Sequence, residues 1–240
     1  MNSGLICFDL DNTIADYEQT FKRAIHHCFS IFISDKLIPF DNWFWLFKKC
    51  CDDYWDDYES NKMTKVEYRR RRFLDTMDAF NLKADEKVAD QFHAYFDDVV
   101  SKFVVPVHGM MPFLYDLQNV SAKLGIITNG KRKTQLEKIR FLGLSDVFPD
   151  DTVIVSETVG VGKPDAAIFH YAQKNLAPYC DHKLFIGDSW EQDVVGAIEA
   201  EWKVIYFNTR RQEPTTDHVP LALCKDADEL IKVVLSEMSS

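Results

Sequence analysis

The sequence predicts an α/β fold, a doubly wound parallel sheet into which an all-helical domain is inserted. Short apolar runs recur along the chain, and stretches with helical periodicity separate them. One long segment, residues 16–103, instead carries helical patterns without a clear strand. Strands that alternate with helices favour a parallel sheet covered by helices, because parallel strands need long crossover connections.

Five apolar runs mark the strands of this sheet. The first, LICF at residues 5–8, is apolar throughout, as expected of a parallel strand that is covered on both faces. Four later runs have the same character: LGIIT (124–128), TVIVS (152–156), KLFIG (183–187) and KVIYF (203–207). Together they predict the strands of one sheet.

Helix-like stretches alternate with these runs after residue 110. They are predicted over residues 112–120, 131–144, 164–175, 193–201 and 226–238. A strand followed by a helix and then by another strand is the repeating unit of a Rossmann-like core. The order of elements therefore predicts a doubly wound sheet.

The long segment without strands is predicted to be a domain of its own. In EKVADQFHAYFDDVVSKF (86–103) the apolar residues recur at helical spacing. We predict a core domain made of residues 1–15 and 104–240, and a helical domain over residues 16–103. Trp43 and Phe47, four residues apart, fit one buried helix face. A base-stacking platform is the alternative interpretation of the aromatic run that contains them, WFWLF (43–47).

Composition restricts the class of partner. The chain of 240 residues is 46% hydrophobic and 28% charged, an ordinary globular balance. A formal net charge of −10 argues against binding to a nucleic acid polymer, which requires clustered Lys and Arg. The six cysteines lack pairing motifs, and neither a signal peptide nor a membrane-length apolar run is evident. We therefore expect a reduced, cytoplasmic protein without a membrane partner, and the oligomeric state stays open.

Polar residues stand at the ends of the predicted strands. Asp9 and Asp11 follow the first strand, Thr128 ends the second and Asp188 follows the fourth, while Lys163 lies in the loop before a helix. Open α/β sheets bind ligands at the carboxyl ends of their strands. The topology is therefore expected to bring these residues to one edge of the sheet.

This set of residue types predicts phosphate-ester chemistry. Grouped carboxylates favour a hard divalent cation, and Mg²⁺ suits both oxygen ligands and phosphate substrates. The cation would offset the repulsion between Asp9 and an anionic phosphate. Of two neighbouring carboxylates, one can act as nucleophile and the other as general acid and then base. Thr128 and Lys163 can hold or neutralise phosphoryl oxygens.

Each of these residues also has a purely structural interpretation. Asp9 and Asp11 could form a solvated strand end, and Asp188 could cap the helix that follows it. The occurrence of all the motifs in one ordered set favours the functional interpretation. For Thr13 the structural interpretation is preferred, because its spacing to Asp16 fits a helix capping box.

The motifs together resemble the four ordered motifs of the haloacid dehalogenase superfamily. They are DLDNT (9–13), IITNG (126–130), VGKPD (161–165) and GDSWEQD (187–193). The helical insert resembles that superfamily's type C1 cap. The resemblance implies that Asp9 is a nucleophile that forms an aspartyl-phosphate and that Asp11 is the acid/base. It also implies that Thr128 and Lys163 stabilise the phosphoryl group.

The same resemblance implies the metal site. The carboxylates of Asp9 and Asp188 would bind Mg²⁺ together with the backbone carbonyl of Asp11. Asp193 would stand behind these ligands and align Lys163 or a metal-bound water.

A narrower resemblance connects the chain with the bacterial pyrimidine 5′-nucleotidase group. It is carried by TNG (128–130), SETVGVGKP (156–164) and NTRRQEP (208–214). In the stretch 56–73 the chain has Asn61 and Met63 where that group commonly has Gly and Ile. The resemblance implies nucleoside 5′-monophosphates, pyrimidine ones in particular, as substrates.

Four residues are the candidate substrate contacts. Trp55 and Tyr58 are aromatic residues of the predicted cap, near the loop expected to face the active site, and Asn129 follows a core strand. Arg72 belongs to a run of four arginines, Arg69–Arg72, which otherwise predicts a solvated helix face.

The predicted function is Mg²⁺-dependent hydrolysis of a phosphomonoester, with a small phosphorylated metabolite as the partner. A phosphoglycolate-type phosphatase and a sugar phosphomutase are alternatives that use the same chemistry. A non-catalytic member that binds a phosphorylated ligand or a partner protein is an alternative of a different class. A dehalogenase is disfavoured because those relatives lack the second acid, which is present here as Asp11.

Overall fold

One parallel sheet contains all the predicted strands. The computed structural model describes residues 4–33, 37–118 and 122–238. The strands are β1 (Leu5–Phe8), β2 (Lys123–Thr128), β3 (Val153–Val155), β4 (Lys183–Gly187), β5 (Lys203–Phe207) and β6 (Ala222–Cys224). Their order across the sheet is β3-β2-β1-β4-β5-β6, and every neighbouring pair is parallel.

The first strand lies at the centre of the sheet. In β1, Leu5 is in register with Lys123 of β2 on one side and with Lys183 of β4 on the other. The chain first adds β2 and β3 on one side of β1 and then continues with β4 on the other side. The strand order therefore reverses between β1 and β4, the position at which doubly wound sheets bind ligands.

Both faces of the sheet are buried. Ile6 and Phe8 of β1 pack into one apolar cluster, whereas Leu5 and Cys7 pack into a second one. Successive side chains of a strand point to opposite faces, so two separate clusters mean two covered faces. The predicted doubly wound α/β class is confirmed.

Eleven α-helices are present in the described residues. They are α1 (Tyr17–Phe32), α2 (Phe40–Asp53), α3 (Trp55–Glu59), α4 (Lys65–Ala79), α5 (Glu86–Val99), α6 (Met110–Leu117), α7 (Arg132–Phe141), α8 (Ser156–Val159), α9 (Ala166–Leu176), α10 (Gly196–Glu199) and α11 (Ala227–Met238). A 3₁₀ turn, Val100–Phe103, follows α5, and a π-helical turn, Trp190–Val195, precedes α10.

The structure differs from the predicted elements in a few places. The strand β6 has three residues, of which only Cys224 is buried, so no apolar run marks it in the sequence. The helix predicted over 193–201 begins earlier, with the π-helical turn. The helix predicted over 112–120 corresponds to α6, and residues 119 and 120 lie outside the described part of the chain.

The chain divides into two compact units. One consists of the residues up to Glu18 together with those from Val104 onward, and the other is Gln19–Phe103, which has no strand among its described residues. We call the second one the helical unit. Its core is aromatic: Trp43 and Phe47 are fully buried, with ring centroids 4.9 Å apart. The predicted buried face is confirmed, and the base-stacking platform is wrong for these two rings because neither is exposed.

The capping box predicted at Thr13 is wrong. Helix α1 begins at Tyr17, and the fully buried Thr13 Oγ1 has no hydrogen-bond partner among the described residues. The loop after Asp9 folds back instead, since Ala15 N–H donates to Leu10 O. The side chain of Asn12 then accepts from Tyr17 N–H at 3.2 Å. Asn12, and not Thr13, thus accepts from the first backbone N–H of α1, which has no partner within the helix.

Two further expectations concern the whole chain. All six cysteines are buried free thiols, as predicted. Among the residues that the structure describes, none of the helices combines the length and the apolar character needed to cross a membrane.

Candidate active site

The candidate site forms at the carboxyl ends of β1 and β4. Asp9 follows the last residue of β1, and Asp188 follows the last residue of β4. Both carboxylates are buried, with exposures of 6% for Asp9 and 5% for Asp188. Because β1 and β4 are neighbouring parallel strands, the residues that follow them lie side by side. They stand where the strand order of the sheet reverses.

Lys163 joins two of the buried acids. Its Nζ donates to Asp9 Oδ1 and to Asp193 Oδ1, each at 2.6 Å. Burial alone would lower the pKa of the Lys163 ammonium, but the two carboxylates raise it above its ordinary value. Lys163 is therefore a permanent positive charge between Asp9 and Asp193.

Burial dominates the protonation of Asp9. It raises the pKa of the Asp9 carboxyl well above its usual range, and the nearby Lys163 offsets this only in part. Asp193 and Asp188 raise the pKa further through charge repulsion. Additional positive charge at this position would favour the ionised form of the Asp9 carboxyl.

Asp188 is in a similar electrostatic position. Burial and the neighbouring Asp193 raise the pKa of the Asp188 carboxyl to about 7, against the lowering effect of Arg210. Arg210, from the loop after β5, pairs with Asp188 Oδ2. Sequence reasoning did not identify Arg210, because nothing in the NTRRQEP segment distinguishes it from the adjacent Arg211.

The three acids form a set of oxygen donors that fits a divalent cation. Each acid contributes one carboxylate oxygen, and these three oxygens, from Asp9, Asp188 and Asp193, lie within 4.8 Å of one another. Both Asp193 oxygens accept hydrogen bonds, one from Lys163 Nζ and the other from Ser189 N–H at 2.9 Å. Asp9 accepts from Lys163 through Oδ1, and Asp188 accepts from Arg210 through Oδ2. These two carboxylates are thus better placed as ligands, and Asp193 is better placed to hold Lys163.

Asp11 lies beside a second pair of polar residues, which sequence reasoning missed. Lys138 Nζ donates to both Asp11 oxygens at 2.7 Å, and Gln135 Nε2 donates to Asp11 Oδ2 at 3.2 Å. Gln135 also donates to Thr128 Oγ1 at 2.7 Å. Lys138 and Gln135 come from α7, a helix with several Lys and Arg, and no local pattern separates these two from its exposed residues.

Asn129 holds the loop that carries Lys163. Its Nδ2 donates to Lys163 O and its Oδ1 accepts from Lys163 N–H, both at 2.9 Å. A Cβ on Gly162 would lie 2.6 Å from Asn129 Oδ1, so any residue larger than glycine would collide with the Asn129 side chain. Contact between Asn129 and a substrate stays a prediction.

The other candidate substrate residues belong to the helical unit. Trp55 is 45% exposed, and the half-buried Tyr58 stacks on Tyr68 with ring centroids 5.0 Å apart. Their contact with a substrate stays a prediction. Asn61, where the related group has Gly, has φ of 58°, a left-handed conformation that Asn tolerates better than most residues.

The solvated face predicted for the arginine run is wrong at Arg72. Its side chain is 7% exposed and packs over the rings of Phe47 and Tyr68. Its guanidinium donates to Tyr68 Oη at 3.3 Å and lies 3.4 Å from His93 Nδ1. The aromatic core of the helical unit thus encloses Arg72, and its role towards a substrate stays a prediction.

Known proteins share this sequence pattern and fold. Residues 4–201 match a family model described as haloacid dehalogenase-like hydrolase. The pyrimidine 5′-nucleotidase YjjG of Escherichia coli is 28% identical over 177 residues, which cover 73% of this chain and 75% of that protein. The glyceraldehyde 3-phosphate phosphatase of Methanocaldococcus jannaschii is 27% identical over 195 residues, 81% of this chain and 80% of that one.

A third relative is similar in both sequence and structure. The HAD-hydrolase YfnB of Bacillus subtilis is 26% identical over 234 residues, 95% of this chain and 94% of that protein. Its magnesium-bound crystal structure superposes with a TM-score of 0.78 at 24% identity, covering 98% of this chain and 99% of that chain. The two proteins therefore have the same fold.

Proposed function

This chain belongs to the haloacid dehalogenase-like hydrolase family, and on that premise we propose that it is a Mg²⁺-dependent phosphomonoester hydrolase that works through an aspartyl-phosphate on Asp9. The observation that carries the proposal is the pair of carboxylates after β1. Asp9 is buried and fixed by Lys163, whereas Asp11 is held separately by Lys138. A nucleophile and an independent proton carrier are the two groups that ester cleavage and intermediate hydrolysis require.

The proposed reaction has two steps. Asp9 attacks the phosphorus atom, the bond from phosphorus to the ester oxygen breaks, and Asp11 gives a proton to the leaving oxygen. Asp11 then accepts a proton from water, which attacks the phosphorus atom and releases Asp9 and inorganic phosphate. Thr128 and Lys163 stabilise the charge on the phosphoryl oxygens during both transfers.

Asp9, Asp188 and the backbone carbonyl of Asp11 are the proposed Mg²⁺ ligands. The buried oxygen donors fit this cation, and the relative YfnB binds magnesium. The bound cation supplies positive charge that offsets the repulsion between Asp9 and the phosphate. Asp193 takes no part as a ligand in this proposal and orients Lys163.

A pyrimidine nucleoside 5′-monophosphate is the proposed substrate class. The support is the sequence similarity to YjjG, a pyrimidine 5′-nucleotidase, together with the exposed Trp55, on which a base can stack. In this proposal the inserted helical segment, residues 16–103, is a type C1 cap that selects the substrate through Trp55 and Tyr58. Glyceraldehyde 3-phosphate is the second candidate, since several relatives are named glyceraldehyde 3-phosphate phosphatases.

A phosphate-release screen tests the proposal. The panel contains pyrimidine and purine nucleoside 5′-monophosphates, glyceraldehyde 3-phosphate, phosphoglycolate and hexose phosphates, each with Mg²⁺. Hydrolysis of pyrimidine nucleotides above the others is the expected result. Isomer formation in the presence of a sugar bisphosphate would indicate a mutase instead. Release from none of these esters would favour a non-catalytic ligand-binding protein.

The variant Asp9→Asn tests the nucleophile. It should fold normally and lose at least about 1,000-fold in kcat, because an amide cannot form the acyl-phosphate bond. Asp146→Asn, which changes an exposed acid of the same unit, is the matched control and should keep full activity. A folded Asp9→Asn protein with substantial turnover would rule out the covalent mechanism.

A further inference from the structure

Lys138 is a buried cation with an unusual placement. Only 4% of its surface is exposed, and its Nζ lies 2.7 Å from both oxygens of Asp11. The other lysine within α7, Lys133, is exposed, as is expected for a charged residue on a surface helix. α7 therefore turns one ammonium group inward, towards Asp11.

Helix packing by itself does not explain this burial. Taking an ammonium group out of water is unfavourable, and an apolar residue of similar size usually gives equal or greater stability. α7 already has apolar residues for its packing, Leu136 and Ile139, which lie in the core of the sheet unit. The Asp11 side chain is 28% exposed, so water would satisfy it without a lysine. The ion pair thus fixes a carboxylate that would otherwise be free to move.

Gln135 extends the contact to Thr128. It lies one helical turn before Lys138 and on the same helix face. Its Nε2 is 2.7 Å from Thr128 Oγ1, 3.1 Å from Asn129 O and 3.2 Å from Asp11 Oδ2. One buried amide therefore connects the residue proposed as acid/base with the residue proposed to hold the phosphoryl group.

We propose that Lys138 and Gln135 are positioning residues for catalysis, a clamp on α7 that holds the Asp11 carboxylate in place for proton transfer. The inference rests on the proposed phosphohydrolase function and adds two residues to it. Lys138 donates to both oxygens of the ionised Asp11 carboxylate. When Asp11 carries the proton on one oxygen, Lys138 donates to the other and still prevents rotation of the group. Gln135 sets the distance between Asp11 and Thr128, and through it the distance from the proton carrier to the phosphoryl group.

The leaving group provides the decisive readout. An alkyl ester needs a proton on the departing oxygen, and this proton comes from Asp11 as the phosphorus–oxygen bond breaks. The departing p-nitrophenolate is stable without a proton, so release from p-nitrophenyl phosphate depends far less on a general acid. Loss of a clamp on Asp11 should therefore slow alkyl esters selectively, whereas general damage to the site slows both substrates.

The first experiment compares three variants on these two esters with Mg²⁺. The alkyl ester is the panel member that the wild-type protein hydrolyses fastest. Lys138→Met should lose about 100-fold in the first-turnover release of the alcohol from this ester, and less than about 10-fold in the first-turnover release of p-nitrophenolate. Lys138→Arg keeps the positive charge and can donate to both Asp11 oxygens, so it should recover most of the loss. Lys133→Met is the matched control and should match the wild type.

A double-mutant cycle separates positioning from structure. In an Asp11→Asn background, Lys138→Met should cause no further loss in first-turnover release, because the group it positions is absent. Gln135→Leu should show the same selectivity for alkyl esters with a smaller loss, about 10-fold. If Lys138→Met fails to fold, as judged by circular dichroism, Lys138→Arg and Gln135→Leu still test the clamp.

The outcomes distinguish this inference from the function on which it rests. If the wild-type protein hydrolyses phosphate esters but Lys138→Met slows the first-turnover release of both leaving groups equally, the clamp is wrong and the proposed function stands. Additive losses in the Asp11→Asn background lead to the same conclusion. If the wild-type protein hydrolyses none of the esters, the proposed function is wrong and the clamp proposal, which rests on it, is wrong as well.

Discussion

Individual residues of the site are constrained by charge and by space. Lys163 neutralises two buried acids, and Arg210 pairs with a third. Buried carboxylates this close together are costly unless cations or hydrogen-bond donors accompany them. Gly187 is constrained by space, since the carboxylate of Asp193 lies where a side chain on residue 187 would be. The site therefore tolerates little change even at a residue without a side chain.

Gly187→Ala tests the steric constraint. The new Cβ would lie 2.4 Å from the Asp193 carboxylate, which must move away from Lys163. We expect a loss of about 1–3 kcal/mol in the free energy of unfolding, measured with urea, together with a large loss of activity. Gly4→Ala is the control, because its Cβ would meet the nearest atom at 3.5 Å, an ordinary contact. Wild-type stability in Gly187→Ala would contradict the packing described here.

At the scale of elements, α4 and α5 of the helical unit are joined through a buried histidine. His93 is 3% exposed, and its Nε2 lies 2.7 Å from Arg69 O, so Nε2 carries the hydrogen. Nδ1 is then the acceptor for Arg72. Burial and the positive charge of Arg72 lower the pKa of His93 to about 3, despite the opposing effects of its bond to Arg69 O and of Asp97. A neutral imidazole is thus part of the helix packing.

The low pKa of His93 predicts loss of stability in acid. The unfolded chain binds a proton at His93 below about pH 6.5. The folded protein does so only near pH 3. The unfolded state therefore binds more protons between these values, and the free energy of unfolding should fall as the pH falls through this window, by at most about 1.4 kcal/mol per pH unit from this residue.

His93→Gln isolates this contribution. The glutamine amide can donate to Arg69 O and accept from Arg72, but it does not titrate. Urea unfolding monitored by circular dichroism at pH 7.5 and pH 5 should therefore show a smaller acid loss in the variant than in the wild type. Equal losses in both proteins would assign the acid sensitivity to other groups.

For the molecule as a whole, the sheet collects charge from distant parts of the chain. Asp9 and Lys163 are more than 150 residues apart in the chain and Asp188 is farther still from Asp9, yet the three lie within one network of buried charges. The parallel order of β1 and β4 accomplishes this, since each strand delivers its next residue to the same edge. Removing one acid is therefore expected to change how the entire protein responds to a cation.

Mg²⁺ binding should stabilise the protein through this network. A cation that binds only the folded state adds about 2.7 kcal/mol to the free energy of unfolding at one hundred times its dissociation constant. We expect excess Mg²⁺ to raise the thermal midpoint, and chelation to lower it and to stop phosphate release. Asp188→Asn should lose most of the shift. A midpoint that is insensitive to Mg²⁺, or activity that survives chelation, would contradict the proposed metal site.

Local sequence patterns were sufficient to predict five strands and the motif residues. Continuous apolar runs located five strands, because burial on both faces requires apolar side chains at every position. These patterns missed β6, a short edge strand whose first two residues are not buried. They also assigned Thr13 to a helix cap, since a local spacing does not reveal where the chain folds back.

The burial and the partners of polar side chains depend on packing between distant segments of the chain. Lys138 resembles the other cations of α7 in the sequence, and Arg72 resembles its neighbours in an arginine run, yet both are buried. Periodicity reports which face of an element is apolar, which is a local property. The partner of a buried charge is fixed by the packing of elements far apart in the chain. The pairing of Lys138 with Asp11, 127 residues away, could therefore be found only in the folded molecule.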